Sequence, residues 1–428
     1  MKIAIAGYGL EGQENFTYWS ADPANELTIV DERADLVVPE GISTILGSDA
    51  FQKLDDFDIV VRTAGLAPYK LSTNAKIWSA TNEFFAKCPA PIIGVTGSKG
   101  KGTTCSLIAS ILEASGKKVW LVGNIGIAAL GVLSQIKPDD IVVYELSSFQ
   151  LWDIEKSPQT AVVLLIEQDH LDVHRSMEEY VEAKGNIARF QSPDDLLIYN
   201  AANNYARQIA DFSNAQKVGY PSELTTHVKD GYFYNGDQQL FSTDAIQLKG
   251  AHNLDNATAA IDAVWQFTQD PQVIETGLRN FKGLPHRLAY VATVNDVEYY
   301  DDSIATTPGS AIAALKAFAD KPKVIILGGS YKGSDFSQLA DELVKHDVQA
   351  ILIGDEAKTI AAAADAAGFK NYEILQNPTA ESFTRRAAEL AQPGGVVLLS
   401  PASASFGLFK NYADRGEQFI AAVHDLSS

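Results

Sequence analysis

Short apolar runs alternate with helical stretches through most of the chain. Residues 3–6, 27–30, 59–61, 92–95, 119–122, 141–144 and 161–166 are rich in Val, Ile and Leu. Runs this short, and apolar at nearly every position, predict strands of parallel sheets covered on both faces. The pattern returns at 324–327, 350–353 and 396–399, with alanine-rich helical segments such as 360–367 between them. Strand–helix alternation on this scale predicts an α/β chain. Residues 217–250 break the pattern, with short apolar pairs between turn residues, and predict a small β insertion. Cys88-Pro89-Ala90-Pro91 is a stiff connector, because proline disfavours helix and sheet interiors. A second boundary falls near Gly283-Leu284-Pro285, past a helix ending around Phe281. The expected domains are 1–88, 89–283 and 284–428, which suits 428 residues at about 100–200 per domain.

Composition narrows the class. Hydrophobic residues make up 46% and charged residues 21%, too apolar for disorder. A net charge of −20 argues against nucleic acid and anionic membrane as partners, while leaving small anions open to local loops. Two cysteines, Cys88 and Cys105, cannot build a disulfide framework and suit a reducing cytoplasm. Met1 runs straight into a strand and a glycine motif, so no signal peptide is expected. No run approaches the roughly 20 apolar residues of a membrane span.

The chemistry concentrates in three places. Gly97-Ser98-Lys99-Gly100-Lys101-Gly102-Thr103-Thr104 follows the run 92–95 and precedes a helical pattern over 105–114. Strand, glycine loop and helix form a phosphate-binding context, in which Lys101 reaches the β- and γ-phosphates. Gly102 stands where Ser or Thr usually meets magnesium, so Thr103 or Thr104 is the substitute. Glu145, at the end of 141–144, is either a Mg²⁺ ligand or an ordinary strand-end acid. After 161–166 come Glu167, Asp169, His170, Asp172 and His174, either a metal cluster or a solvated loop. Ser176 and Glu179 predict a capping box. Lys184 then shares an apolar stripe with Met177, Tyr180, Val181, Ile187 and Ala188. A lysine there either snorkels or does chemistry, and the acid–histidine cluster beside it favours chemistry. Separately, Gly7-Tyr8-Gly9-Leu10-Glu11-Gly12, with Asp31 about 20 residues on, fits a dinucleotide fingerprint, though not a particular nucleotide.

Taken in order, these features resemble the Mur ligase family over nearly the whole chain. The phosphate loop, Gly123-Asn124-Ile125-Gly126, residues 145–150, 169–172 with Lys184, and Gly250-Ala251-His252-Asn253 with Asn256 carry the resemblance. So do Gly283-Leu284-Pro285-His286-Arg287, Asp301-Asp302-Ser303, Gly328-Gly329-Ser330-Tyr331-Lys332, and residues 399–405 and 409–416. The resemblance implies a Rossmann-like UDP-binding domain, a central P-loop ATPase domain and a Rossmann-like amino-acid-binding domain. It implies a cytoplasmic, monomeric ligase of peptidoglycan precursor synthesis. That ligase joins glutamate, D-glutamate in the principal reading, to UDP-N-acetylmuramoyl-L-alanine with ATP and two Mg²⁺ ions. By position, Gly9, Asp31 and Arg33 would serve UDP, and Asn124, Ser147 and Gln150 the muramoyl peptide. Asn256, Arg287 and Asp302 would meet ATP. Thr306, Lys332, Ser405, Phe406 and Tyr412 would hold glutamate. Thr103, Glu145, His170 and Lys184 would hold metal, Lys184 as a CO₂-derived carbamate. Val173, Ile304 and Thr63-Ala64-Gly65 depart from the usual pattern, and Ile304 resembles a branch that adds L-glutamate. The run 99–103 also resembles folylpolyglutamate synthase, which needs no N-terminal UDP domain. An NAD-dependent oxidoreductase would leave the phosphate loop and Lys184 unexplained, and a non-catalytic nucleotide-binding relative is the remaining alternative.

Overall fold

The structure is a computed structural model that describes residues 1–426 apart from Ile125, Asp172, Lys249 and Lys332. The chain forms two compact units, Met1–Phe281 and Lys282–Ser428.

The first unit holds two parallel sheets. Strands β1 (Lys2–Ala6), β2 (Glu26–Asp31), β3 (Ser43–Leu46), β4 (Ile59–Arg62) and β5 (Lys76–Trp78) form one, in the order β3-β2-β1-β4-β5. Successive side chains of a strand point to opposite faces. Ile3, Ile5, Ile29 and Val61 pack on one side of this sheet, and Ala4, Ala6, Val30 and Val60 on the other. That is why these runs are apolar throughout. Strands β6 (Ile92–Thr96), β7 (Val119–Gly123), β8 (Ile141–Glu145), β9 (Thr160–Val163), β10 (Leu196–Asn200) and β11 (Gln216–Tyr220) form the second sheet, in the order β11-β10-β9-β6-β8-β7. Its two faces also carry separate cores, one with Val142, Ala161 and Leu197, the other with Val143, Val162 and Ile198.

Three local expectations are corrected. Strand β9 stops at Val163 rather than at 166. Beyond it the backbone turns to the phosphate loop, where Leu164 N–H donates to Thr96 O and Leu165 O accepts from Ser98 N–H. Val218 and Gly219 belong to β11, at the edge of the parallel sheet. The β insertion is the antiparallel β12 (Thr226–Lys229), β13 (Tyr232–Asn235) and β14 (Gln238–Ser242), and residues 246–248 extend no strand. The third correction concerns the helix after the phosphate loop. It starts at Lys101 rather than at 105, because Thr104 N–H already donates to Gly100 O.

The insertion is tied to the helix His252–Val264 through Asp262, whose Oδ1 accepts Thr226 N–H at 3.1 Å. Its other oxygen has no hydrogen-bond partner among the described residues, and burial pushes the carboxyl up to about 6. A raised folded pKa means the native state holds its proton more tightly than the unfolded chain. The contribution to stability is full below the ordinary value of 3.8 and is lost as pH rises through about 6. Asp262→Asn is therefore expected to be neutral at pH 4 and to stabilise by about 1–3 kcal/mol at pH 8. Urea unfolding of both proteins at the two pH values measures this.

In the second unit, β15 (Ala289–Val294), β16 (Val297–Asp301), β17 (Lys323–Gly329), β18 (Val348–Gly354), β19 (Tyr372–Ile374) and β20 (Val396–Leu399) form one sheet, in the order β15-β16-β20-β17-β18-β19. All neighbours are parallel except β15, which joins β16 as a hairpin.

Candidate functional site

In open parallel sheets, ligands bind beyond the carboxyl ends of the strands. The first glycine loop lies at such an end. A Cβ on Gly7 would stand 2.3 Å from Thr63 Oγ1, and one on Gly12 would stand 2.1 Å from Gly7 O, so both positions require glycine. Gly9 has open space around it. At the end of β2, Asp31 accepts Tyr8 N–H at 2.8 Å and takes the Arg33 guanidinium through both oxygens at 2.8 Å. That pairing holds the Asp31 carboxyl down at about 2. Gly9, Asp31 and Arg33 thus share one sheet edge. Glu11 accepts Ala64 N–H at 2.8 Å and closes the loop onto the segment after β4.

The second glycine loop leaves β6. Gly100 turns the chain at φ +87°, and a Cβ there would meet Asn256 Oδ1 at 2.4 Å. Both facts exclude a side chain, and they place Asn256 against the loop. Lys101 Nζ donates to Gly97 O at 3.0 Å and Ser98 O at 3.2 Å. Lys184 Nζ donates to the same Gly97 O at 2.9 Å. Two amines therefore meet at one carbonyl. Lys184 is only 1% exposed, and burial, reinforced by the Lys101 charge, drives its amine well below the usual lysine range. It does not snorkel; Tyr180 packs its ring 4.7 Å from the Lys184 nitrogen and hydrogen-bonds Ser98 Oγ at 2.9 Å. Glu145 is buried at the end of β8, opposite Val95 in register. Thr103 and Thr104 are buried in the first turn of the helix Lys101–Ala114, and Thr104 Oγ1 has no hydrogen-bond partner among the described residues.

Asn124 is exposed, and its N–H donates to Glu145 O at 3.3 Å. Ser147 and Gln150 bond each other in a reciprocal capping box that starts the helix Ser148–Leu151. The box expected at Ser176 and Glu179 is only half formed. Ser176 caps Glu179 N–H, but the Glu179 carboxylate turns to Arg175 instead.

His170 is about half exposed and sits at φ +53°, a backbone conformation unusual outside glycine. Its ring lies 4.9 Å from Phe149. His174, four residues on, is fully buried between Phe149 and Trp152 and shares a 2.9 Å hydrogen bond with Ser148. Among the described residues, no group of three or more His, Cys, Asp or Glu is arranged to hold a metal. The Glu145 carboxylate and the Thr103 and Thr104 hydroxyls are hard oxygen donors of the kind Mg²⁺ prefers, and among the described residues nothing hydrogen-bonds Thr104 Oγ1.

Arg62, which the sequence reading passed over, organises this edge. It is fully buried at the end of β4 and takes Asp153 bidentately at 2.7 Å. Its remaining N–H groups donate to the carbonyls of Thr63, Ala64, Leu66 and Phe149. The signal was an arginine closing an otherwise apolar run, Ile59-Val60-Val61-Arg62. Removing one member of a buried pair leaves the other charge uncompensated. Asp153→Ala is therefore expected to cost about 3–5 kcal/mol in denaturant unfolding.

The second unit gathers its own cluster at the ends of β16 and β20. Asp301 Oδ2 lies 2.6 Å from His286 Nδ1. Asp302 accepts from Ser400 Oγ at 2.7 Å and Leu288 N–H at 3.1 Å, and burial pushes its carboxyl up to about 7. Arg415 is fully buried, donates to Ser303 and to Ser403 O, and is pulled by burial down to about 10. It lies inside the motif 409–416 but was not singled out from sequence. Ser303 Oγ donates to Tyr412 O, which brings Tyr412 to this cluster. Ser405 is buried, Thr306 is half-buried, and Arg287, Phe406 and Tyr412 are exposed. Lys332 lies outside the described residues.

A glycine loop, a helix N-terminus, converging lysines and a buried strand-end carboxylate at one edge of a parallel sheet define a P-loop nucleotide enzyme. Comparison with known proteins gives the particular kind. Residues 95–264 match the Mur ligase middle domain, and residues 286–403 match the Mur ligase glutamate ligase domain. The chain belongs to the Mur ligase family and is an ATP-dependent ligase. It is 34% identical to the UDP-N-acetylmuramoylalanine–D-glutamate ligase of Clostridium tetani, across 99% of this chain and 97% of that one. Identity to the protein of the same name from Clostridium kluyveri is 36%, with the same coverage. The fold is similar to that of UDP-N-acetylmuramate–alanine ligase from Thermotoga maritima, with TM-score 0.61, 18% identity and 99% of each chain covered. Among the described residues no helix is long and apolar enough to cross a membrane.

Proposed function

We propose that this chain joins D-glutamate to the L-alanyl carboxylate of UDP-N-acetylmuramoyl-L-alanine, in the cytoplasm, as a step of peptidoglycan precursor synthesis. The observation that carries the reading is the meeting of Lys101 and Lys184 at Gly97 O beside buried Glu145. The named relatives, matched over nearly their whole length, supply the substrates.

In this reading the substrate carboxylate attacks the γ-phosphorus of ATP, ADP leaves, and an acyl phosphate forms. The glutamate amine then attacks the activated carbonyl, and phosphate departs. The backbone N–H groups of Gly97, Lys99, Gly100 and Gly102 cradle phosphate, Ser98 N–H being held by Leu165 O, and Lys101 exchanges its two loop carbonyls for phosphate oxygens. Burial favours the uncharged form of Lys184, and a neutral amine can add to CO₂ and lose a proton to become a carbamate. Thr103 or Thr104, Glu145, His170 and that carbamate would hold two Mg²⁺ ions, which supply positive charge to the phosphates when bound. Asn256, Arg287 and Asp302 serve ATP. Gly9, Asp31 and Arg33 serve UDP, and Asn124, Ser147 and Gln150 the muramoyl peptide. Ser147 and Gln150 already satisfy one another, so their contact with substrate uses the capacity the capping box leaves. Thr306, Lys332, Ser405, Phe406 and Tyr412 hold glutamate. Mass spectrometry of the product tests this reading. The UDP-linked dipeptide, formed with one ADP, supports it; a glutamylated folate in its place contradicts it.

A further inference from the structure

The phosphate loop carries two lysines, and the account so far uses the side chain of only Lys101. Lys99 Nζ lies 2.6 Å from Glu167 Oε1, with the two side chains 77% and 40% exposed. The Glu167 backbone is pinned to the loop itself, because its N–H donates to Ser98 Oγ and its carbonyl accepts from the same hydroxyl. The carboxylate is therefore carried at a fixed place beside the loop. We propose that Lys99 is a second phosphate-binding cation, held on Glu167 until a nucleoside triphosphate enters and then transferred to its terminal phosphate. The proposal rests on the nucleotide reading of this loop.

Three observations favour the exchange. An ion pair this exposed contributes little, so a single carboxylate is a weak competitor against a multiply charged phosphate. Lys101 and Lys184 both donate to Gly97 O, which leaves Lys99 as the exposed lysine of the loop, its amine turned to solvent and to a surface carboxylate. Gly102 offers no hydroxyl at a position where such loops usually carry one, so the loop gains from an added positive charge.

Binding of ADP and of a non-hydrolysable ATP analogue, each with Mg²⁺, to the full chain tests this by calorimetry. Wild type is expected to bind the triphosphate about tenfold more tightly than ADP, a difference of about 1.4 kcal/mol. Lys99→Gln is expected to lose that difference while ADP affinity stays unchanged. Lys99→Arg is expected to keep it, and Glu167→Gln to keep or enlarge it. If Lys99→Gln preserves the triphosphate preference, or wild type shows none, the proposal is wrong. It is equally wrong if Lys99→Gln and Glu167→Gln weaken both nucleotides alike, because the pair then only fastens the loop. Wild type that binds neither nucleotide overturns the nucleotide reading itself, and the proposal with it.

Discussion

Lys184→Ala is expected to lower kcat by about 10²–10³-fold or more, the scale of removing a placed electrostatic group from an active site. The argument starts from burial. An ammonium at 1% exposure, facing a second lysine across one carbonyl, is costly. Burial therefore weighs against the protonated amine, which is the direction of its shift. A neutral buried amine beside a phosphate loop contributes no charge, so the proposed role requires its conversion to a carbamate anion. Lys184→Arg separates the alternatives. Arginine would place a fixed cation at this position and cannot form the carbamate, so it is expected to be as inactive as alanine. Added short carboxylates are expected to restore part of the activity of Lys184→Ala, whose cavity can admit them. Full activity of Lys184→Ala without added carboxylate would falsify the carbamate role. Circular dichroism melting of each variant separates loss of chemistry from loss of fold.

Gly100→Ala is the second large effect, and it acts through the backbone. Any residue with a Cβ pays roughly 1–2 kcal/mol in the left-handed conformation that Gly100 adopts at φ +87°. The new methyl would also stand 2.4 Å from Asn256 Oδ1. Either the loop or Asn256 must move, and both belong to the proposed nucleotide site. A displacement of about 1 Å there is expected to lower kcat/KM for ATP by about 10²-fold. The double variant Gly100→Ala with Asn256→Ala removes the clash but not the backbone strain, so it cannot recover wild-type affinity. A Gly100→Ala enzyme with unchanged KM for ATP would show that the loop tolerates the conformational change.

The pattern of apolar runs revealed the sheets because strands buried on both faces leave an unambiguous signal. It missed the hairpin of β15 and β16, where residues such as Tyr290 face solvent and the run is not apolar throughout. Strand β9 was read three residues too long because Leu164–Ile166 are apolar, yet their backbone bonds the phosphate loop instead of a neighbouring strand. Lys184 was legible because a charge inside a helical stripe violates the stripe. Arg62 and Arg415 were not, because their value lies in carbonyls supplied by distant segments, which spacing along the chain does not encode. Ser147 and Gln150 show the reverse. Their motif was visible, but the bond they make to each other is a local capping feature that the motif alone did not reveal.

The most direct measurement is phosphate release from ATP and Mg²⁺ with UDP-N-acetylmuramoyl-L-alanine, comparing D-glutamate with L-glutamate in parallel. Release that requires every substrate and occurs with D-glutamate alone is the expected result, and it would make Ile304 a tolerated variation. Release with L-glutamate alone would contradict the assigned amino acid while keeping the mechanism. Release with neither would contradict the proposed reaction.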